Sequence, residues 1–591
     1  MNRFDLGRHR AARFLKRIAM TVICLRSAVA AMALCWILAP AWAIEMPGEA
    51  SLSGNYLAGR TASKLRDNDV ASGYLTRALE GDAGNPVLIE RVFLLELSEG
   101  NIERAEELAV RVLGFNSQQR MARIVLALRD FRVRHYEDAR QNLTVAAYTP
   151  VGELTSALLI AWAYAGEGAL APALKALNKL DSNDSFANFK SFHAALISDY
   201  LGNAIRAEAF YKKAYEQAGT SLRVVQAYGN FLERSGRGPE AAKIYAAFLD
   251  GGDDNPLIAE ALANVKAGAK PKALIATPGA GAAEALFSLA TAMTDEQSID
   301  VGLLYAQLTL SFDADRPVAL TLLGDIYEDV KRPEKAIDAY SQVPETSALR
   351  ANAEMEIALN LQRLERKDEA LAKLNGLIAR DPGNYDAYVT LGNIHRNNED
   401  FAHAAEAYDR AIAVISKPQA GHWRVFYYSG ISNERLKNWE KAEKRFRRAL
   451  ELAPEEPMVL NYLGYSMVDR KINLAEAMAM IKKAVALKPN DGYIVDSLGW
   501  AYFQLGDYEQ ALIHCERAVE LLAADPIIGE HLGDVYWRVD RKLEAKFQWQ
   551  HAKDNKPEPE DLKRIEGKLE NGLPGDSPLT PAQNTSDQNN G

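Results

Sequence analysis

The chain has 591 residues, 48% of them apolar and 25% charged, a balance that excludes general disorder and supplies ample material for a packed interior. Its 69 basic residues face 79 acidic ones; seven of the bases and one acid lie in the first 43 residues, so the rest carries 62 against 78, a net −16 that argues against binding nucleic acid. Three cysteines, two of them (Cys24 and Cys35) in that N-terminal segment, exclude a disulfide framework and a cysteine-rich zinc module.

Residues 1–26 are basic, Ser27–Leu38 are apolar or small, and Ala41-Trp42-Ala43 ends the segment in a small-x-small sequence. This order predicts an export signal over residues 1–43, cleaved after Ala43, and a periplasmic body. The apolar run of about 12 residues falls short of the ~20 that span a bilayer. Retention as an inner-membrane anchor is the poorer alternative, because Arg26 would sit in the middle of the span. Leu34 before Cys35 and Ile23 before Cys24 are too large for lipidation of either cysteine.

Beyond the signal a period of 34 residues runs through the chain. Alanines stand at 71, 105, 139, 173, 207 and 241, and a second series begins at Gly302 and runs through Ala336, Ala370, Ala404, Ala442, Ala477, Ala511 and Ala545. Twelve residues before most of these lies another small residue: Gly59, Ala127, Ala161, Ala195, Gly229, Ala290, Gly324, Ala358, Gly392, Gly430, Gly464, Gly499 and Gly533, with Phe93 the bulky exception. Each unit therefore reads as two antiparallel helices, for example around Leu498, Gly499 and Tyr502, then Ala511, Cys515 and Ala518, with Gly506-Asp507 as the turn. Small residues are expected to face each other where the two helices approach closest.

Leu498-Gly499-x-x-Tyr502 followed by Ala511, Cys515 and Ala518 resembles the tetratricopeptide repeat (TPR), as do Leu323-Gly324-x-x-Tyr327, Leu463-Gly464 and Leu532-Gly533-x-x-Tyr536 with Pro382, Pro454, Pro489 and Pro557 at or beside the terminal proline place. The resemblance implies an all-α fold, an α-solenoid of about fourteen helix pairs in two arrays. It also resembles the exported TPR proteins of Gram-negative, alphaproteobacterial envelopes. The predicted organisation is a divergent array of six repeats over 52–255, a linker over 256–282, eight repeats over 283–559, a capping helix over 560–571 and a disordered tail over 572–591. The linker, with Lys270-Pro271 and Thr277-Pro278-Gly279-Ala280-Gly281, reads as a non-TPR helix followed by a hinge-like loop.

No catalytic constellation is expected. Ala273–Glu284 imitates a dinucleotide loop, but Glu284 stands where a third small residue should pack. His514-Cys515 falls on a packing position, and the nine histidines include no helical ligand pair. The chain reads as a non-enzyme without cofactor, metal or small-molecule substrate. In the family, positions 2, 5, 9, 12 and 13 of each unit line the concave groove. In the last four units these include Arg424, Tyr427, Asn461, Tyr465, Asp496, Trp500, Phe503, Asp534, Trp537 and Arg538. Aromatic residues beside polar groups are the composition of protein-binding hot spots. The reading is a protein-binding scaffold or adaptor of the cell envelope that holds protein or peptide partners, through which any membrane association would run. The alternative is an accessory factor for polysaccharide export or synthesis.

Overall fold

The computed structural model describes residues 51–251 and 255–573; the expected export signal and all but two residues of the expected tail lie outside them. The described residues form thirty α-helices and three short 3-10 turns, without a strand. They divide into two compact units at Leu126 and Ala127, not at the 256–282 linker that the break in period suggests.

The first unit holds the helix pairs Leu52–Lys64 with Asn68–Gly81 and Pro86–Ser98 with Ile102–Phe115, and the start of Arg120–Arg132. Leu75, Val92, Phe93, Leu97 and Leu108 fill its interior. The buried carboxylate of Glu96 accepts from Ser72 Oγ at 2.7 Å and from Asn101 Nδ2 at 2.7 Å, so no charge is left unpartnered between the pairs.

In the second unit helix follows helix as the period requires from Tyr136–Ala146 to Gly238–Asp250 and again from Pro278–Thr291 to Lys542–Asp554, and a further helix, Pro559–Asn571, closes the last pair. Every alanine of the two 34-residue series, Ala105 and Ala370 alike, is fully buried. The small residue twelve places earlier does not face that alanine, however. A Cβ added at Gly229, Gly324, Gly392, Gly430 or Gly533 would come closer than 3.0 Å to the ring of Tyr245, Tyr340, Tyr408, Phe446 or Trp549 respectively. The partner thus lies four residues, one helical turn, beyond the alanine. Small meets large there, which brings the helices together without a void. The turn inside each pair is equally periodic: Arg134, Gly168, Gly202 and Gly236, and later Lys331, Glu365 and Glu399, all adopt the left-handed conformation.

The expected linker is where the chain doubles back. Helix Pro256–Lys266 packs on Gly238–Asp250, ending the first array as an additional half-pair. Residues 267–277 then return across the wall made by the helices Ala187–Tyr200 and Leu222–Arg234. Asn230 Nδ2 donates to the carbonyl of Lys272 at 2.9 Å, and Ile275 is buried. A cavity of about 240 Å³ remains beneath Ala273–Ala276, lined by Leu196, Asp199, Tyr200 and Tyr211. Pro278–Gly281 is no loop: Thr277 caps the helix Pro278–Thr291 by accepting from Ala280 N at 3.1 Å. Proline in the first turn needs no amide partner, so the sequence that suggests a hinge begins a helix instead.

That helix docks sideways on the helix Pro150–Gly166. Gly281 lies against the indole of Trp162, where a Cβ would clash. Trp162 Nε1 donates to His193 Nδ1 at 3.1 Å, and Thr155 and Tyr305 share a hydrogen bond of 2.8 Å. At the centre Glu284, 0% exposed, is held by Arg223 at 2.5 and 2.9 Å and by Arg316. Burial alone would push the Glu284 carboxyl up; the two guanidinium groups outweigh it and hold the group down at about 2. The residue that spoils the dinucleotide-loop resemblance is therefore the ion at the junction.

Candidate functional site

The candidate wall is built by four successive first helices, Trp423–Arg435, Pro457–Asp469, Gly492–Gln504 and Pro526–Arg538. Their starts are written locally. Glu456, Asp491 and Asp525 accept from backbone N–H groups of the first turn, and Pro457 and Pro526 occupy places where no N–H is required. Polar contacts about one period apart tie each helix to the next. Glu434 accepts from Arg470 at 3.1 Å and from Tyr462 at 3.4 Å; Asn461 donates to Ser497 Oγ at 3.2 Å; Asp496 meets His531 Nδ1 at 2.8 Å. The ladder ends on the closing helix, whose Arg564 and Lys568 pair with Glu530 at 2.6 to 2.7 Å while Lys568 also reaches Asp534 at 2.5 Å.

This ladder sorts the ten residues expected to line the groove. Tyr427, 6% exposed, packs among the rings of Trp423, Tyr428, Phe446 and Tyr462 at centroid distances of 5.4 to 6.1 Å, so it seals helices and offers no surface to a partner. Asp496 and Asp534 are also buried, spent on His531 and on Lys568 and Trp549 Nε1. Trp537 lies under Gly572, beside Trp549 and below the Lys542 ammonium at 4.1 Å, covered by the chain's own C-terminal segment. Gly572 and Leu573, expected in the tail, are thus packed, and Leu573 is buried. Arg424 is exposed beside the Trp423 ring, and Arg538 is half-buried at its helix end.

Tyr465, Trp500, Phe503 and Asn461 remain half-buried on the wall. Trp500 stacks on His531 with ring centroids 3.9 Å apart and on Phe503 at 4.7 Å, and Tyr508 tilts against Phe503 at 5.4 Å. The result is a row of four rings across two repeats. Burial lowers the pKa of the His531 imidazole, but Asp496 outweighs it and raises it above its ordinary value. Burial, with Asp496 adding to it, pushes the Tyr465 phenol up to about 12, so it stays a hydrogen-bond donor. Asp496 Oδ1, Asn461 Oδ1 and Trp537 Nε1 are buried without a hydrogen-bond partner. His531 and Tyr462 escape a positional reading because their roles depend on a neighbour one period away.

Cys515 is buried against Gly499, and burial raises its thiol well above the ordinary range, which makes it a packing residue rather than a nucleophile. No described helix is long and apolar enough to cross a membrane.

Tetratricopeptide-repeat family profiles match residues 355–420, 430–492 and 495–524. The chain is 28% identical over 214 residues to a TPR repeat-containing protein of Pseudomonas aeruginosa, covering 36% of this chain and 35% of that protein. It is 27% identical over 232 residues to the BBSome complex member BBS4 of Bos taurus, covering 39% and 43%. It thus spans less than half the length of either relative. Among solved structures, the hetero-tetramer Cut9–Hcn1 of the APC/C is similar with a TM-score of 0.37 and 14% identity, over 89% of this chain and 97% of that one.

Proposed function

We propose that this chain, which carries tetratricopeptide repeats and so belongs with scaffolds that bind other proteins, holds an extended segment of a partner against the ring row of its last repeats. The observation that carries the reading is the stack His531–Trp500–Phe503–Tyr508, whose rings bridge two repeats with Trp500 and Phe503 half-buried. Stacked rings are preordered, so a partner that covers them buries apolar area at little cost in side-chain entropy. The scaffold acts by holding partners and not by chemistry. Its place is the cell envelope, on the periplasmic side, a reading supported by the basic, apolar and small-x-small order of residues 1–43.

Crosslinking in intact cells, followed by recovery of the chain with its partners, tests both parts. The double variant Trp500→Ala, Phe503→Ala should lose the captured protein while helicity by circular dichroism stays unchanged. Equal capture by the variant removes the ring row from the binding site. A chain that keeps residues 1–43 and fractionates with the cytosol overturns the envelope placement.

A further inference from the structure

The turn between the helices Tyr385–Asn397 and Phe401–Val414 departs from the repeat in a way that packing does not require. Three residues after the small residue of the first helix, other pairs have Tyr327, Tyr502 or Tyr536; here His395 stands in that place. Eight and eleven residues after it, other pairs have Arg237 with Glu240, Arg366 with Glu369 or Arg541 with Glu544, each an ion pair. Here those places hold Asp400 and His403.

The three side chains converge. His395 Nδ1 lies 3.1 Å from Asp400 Oδ2, and His403 Nδ1 lies 2.8 and 2.9 Å from the two oxygens of the same carboxylate. The ligand atoms all fall within 4.8 Å of one another, and the two imidazoles stack at 5.2 Å and 27°. The backbone fixes this arrangement: Glu399 takes a left-handed φ of 62°, and Asp400 N donates to the carbonyl of His395 at 2.9 Å. Asp400 also caps the second helix through His403 N at 3.4 Å.

The geometry points to a divalent transition-metal site formed by His395 Nδ1, His403 Nδ1 and an oxygen of Asp400. A tetrahedral Zn²⁺ with bonds of ~2.0–2.2 Å sets its ligand atoms roughly 3.4 Å apart, so the carboxylate would draw back slightly from imidazoles now 2.8 to 3.1 Å away while the two ring nitrogens, within 4.8 Å, settle to the same spacing. The ion would replace the two N–H protons that now face Asp400, and two imidazoles with one carboxylate suit zinc and its neighbours rather than calcium or magnesium. The side chain of His403 is 65% exposed and that of Asp400 30%, which leaves an approach from solvent and a fourth coordination place for water or a partner's side chain. The Lys367 ammonium works against the cation from the preceding helix pair.

Calorimetric titration of the chelator-stripped full chain with Zn²⁺, paired with Co²⁺ absorption as a readout of geometry, tests the site. One equivalent should bind per chain, with the visible band of tetrahedral Co²⁺. Asp400→Asn and His403→Ala should each weaken binding by at least ~10-fold. His395→Tyr, which restores the repeat's own residue, should do the same with helicity intact. Binding that is equal in all three variants, or no uptake by the parent chain, overturns the assignment.

Discussion

Gly533 lies so close to the indole of Trp549 that a Cβ on it would come within 3.0 Å of the ring. The same complementarity recurs with other sizes. In the places corresponding to Gly533 and Trp549, Ala127, Ala161 and Ala358 are matched in the sequence by Leu143, Leu177 and Leu374, and Phe93, the bulky exception, by Ala109. All eight of these residues are buried. Gly533→Ala should therefore destabilise the chain by about 1–3 kcal/mol through overpacking. Adding Trp549→Leu should recover part of that loss, since Ala with Leu is a combination the repeat already uses. Denaturant unfolding of the single and double variants measures both.

The turn residue Lys437 has φ 61°, a region that costs a residue with a Cβ about 1–2 kcal/mol and glycine almost nothing. Lys437→Gly should raise stability by about 0.5–1 kcal/mol, the gain being reduced by glycine's freer unfolded chain. Gly236→Ala, at the equivalent turn with φ 77°, should lower it by a similar amount. Thermal melts compare the two.

Acid should loosen the doubled-back junction in two stages. His193 is buried and neutral: burial pulls it down to about 4 from an ordinary 6.5, with Glu284 pulling the other way. The unfolded chain binds that proton first, so stability falls as pH drops from 6.5 towards 4. Glu284 is held at about 2 against an ordinary 4.5, so its contribution is present above pH 4.5 and is lost as pH falls towards 2. His193→Gln should flatten the upper stage, and Glu284→Gln should cost about 3–5 kcal/mol at neutral pH by leaving buried Arg316 and half-buried Arg223 without their counter-charge. Urea midpoints at pH 7, 5 and 3.5 separate the stages.

The return segment should depend on the burial of Ile275. Ile275→Asp places a charge in a buried site and should open residues 267–277 to protease, with cleavage after Lys272 at least tenfold faster than in the parent chain. Timed trypsin digestion reads the difference.

The helix pairs were legible because an alanine every 34 residues leaves a mark that no other architecture makes. The helix pairs follow it up to Gly238–Asp250 and again from Pro278–Thr291 to Lys542–Asp554. The direction in which the arrays pack was not legible. Gly281 against Trp162 and Glu284 against Arg223 join residues 119 and 61 apart, which no local period can reveal. Pro278 looked like a loop residue because proline both breaks helices and begins them, and only Thr277 as a cap decides between the two. On the wall, position numbers treat Trp500 and Phe503 alike with Tyr427, whose ring is shut in by Tyr462 from the next repeat.

Because residues 272–276 already cross the wall of Ala187–Tyr200 and Leu222–Arg234, that stretch is furnished from within, with Asn230 engaged and Ile275 inserted. A chain ended after Lys266 would expose Leu196, Tyr200 and Tyr211 to water, and its stickiness would be a product of the cut. Fragment studies that divide this protein at its apparent linker would then report promiscuous adhesion where the intact chain has a sealed seam.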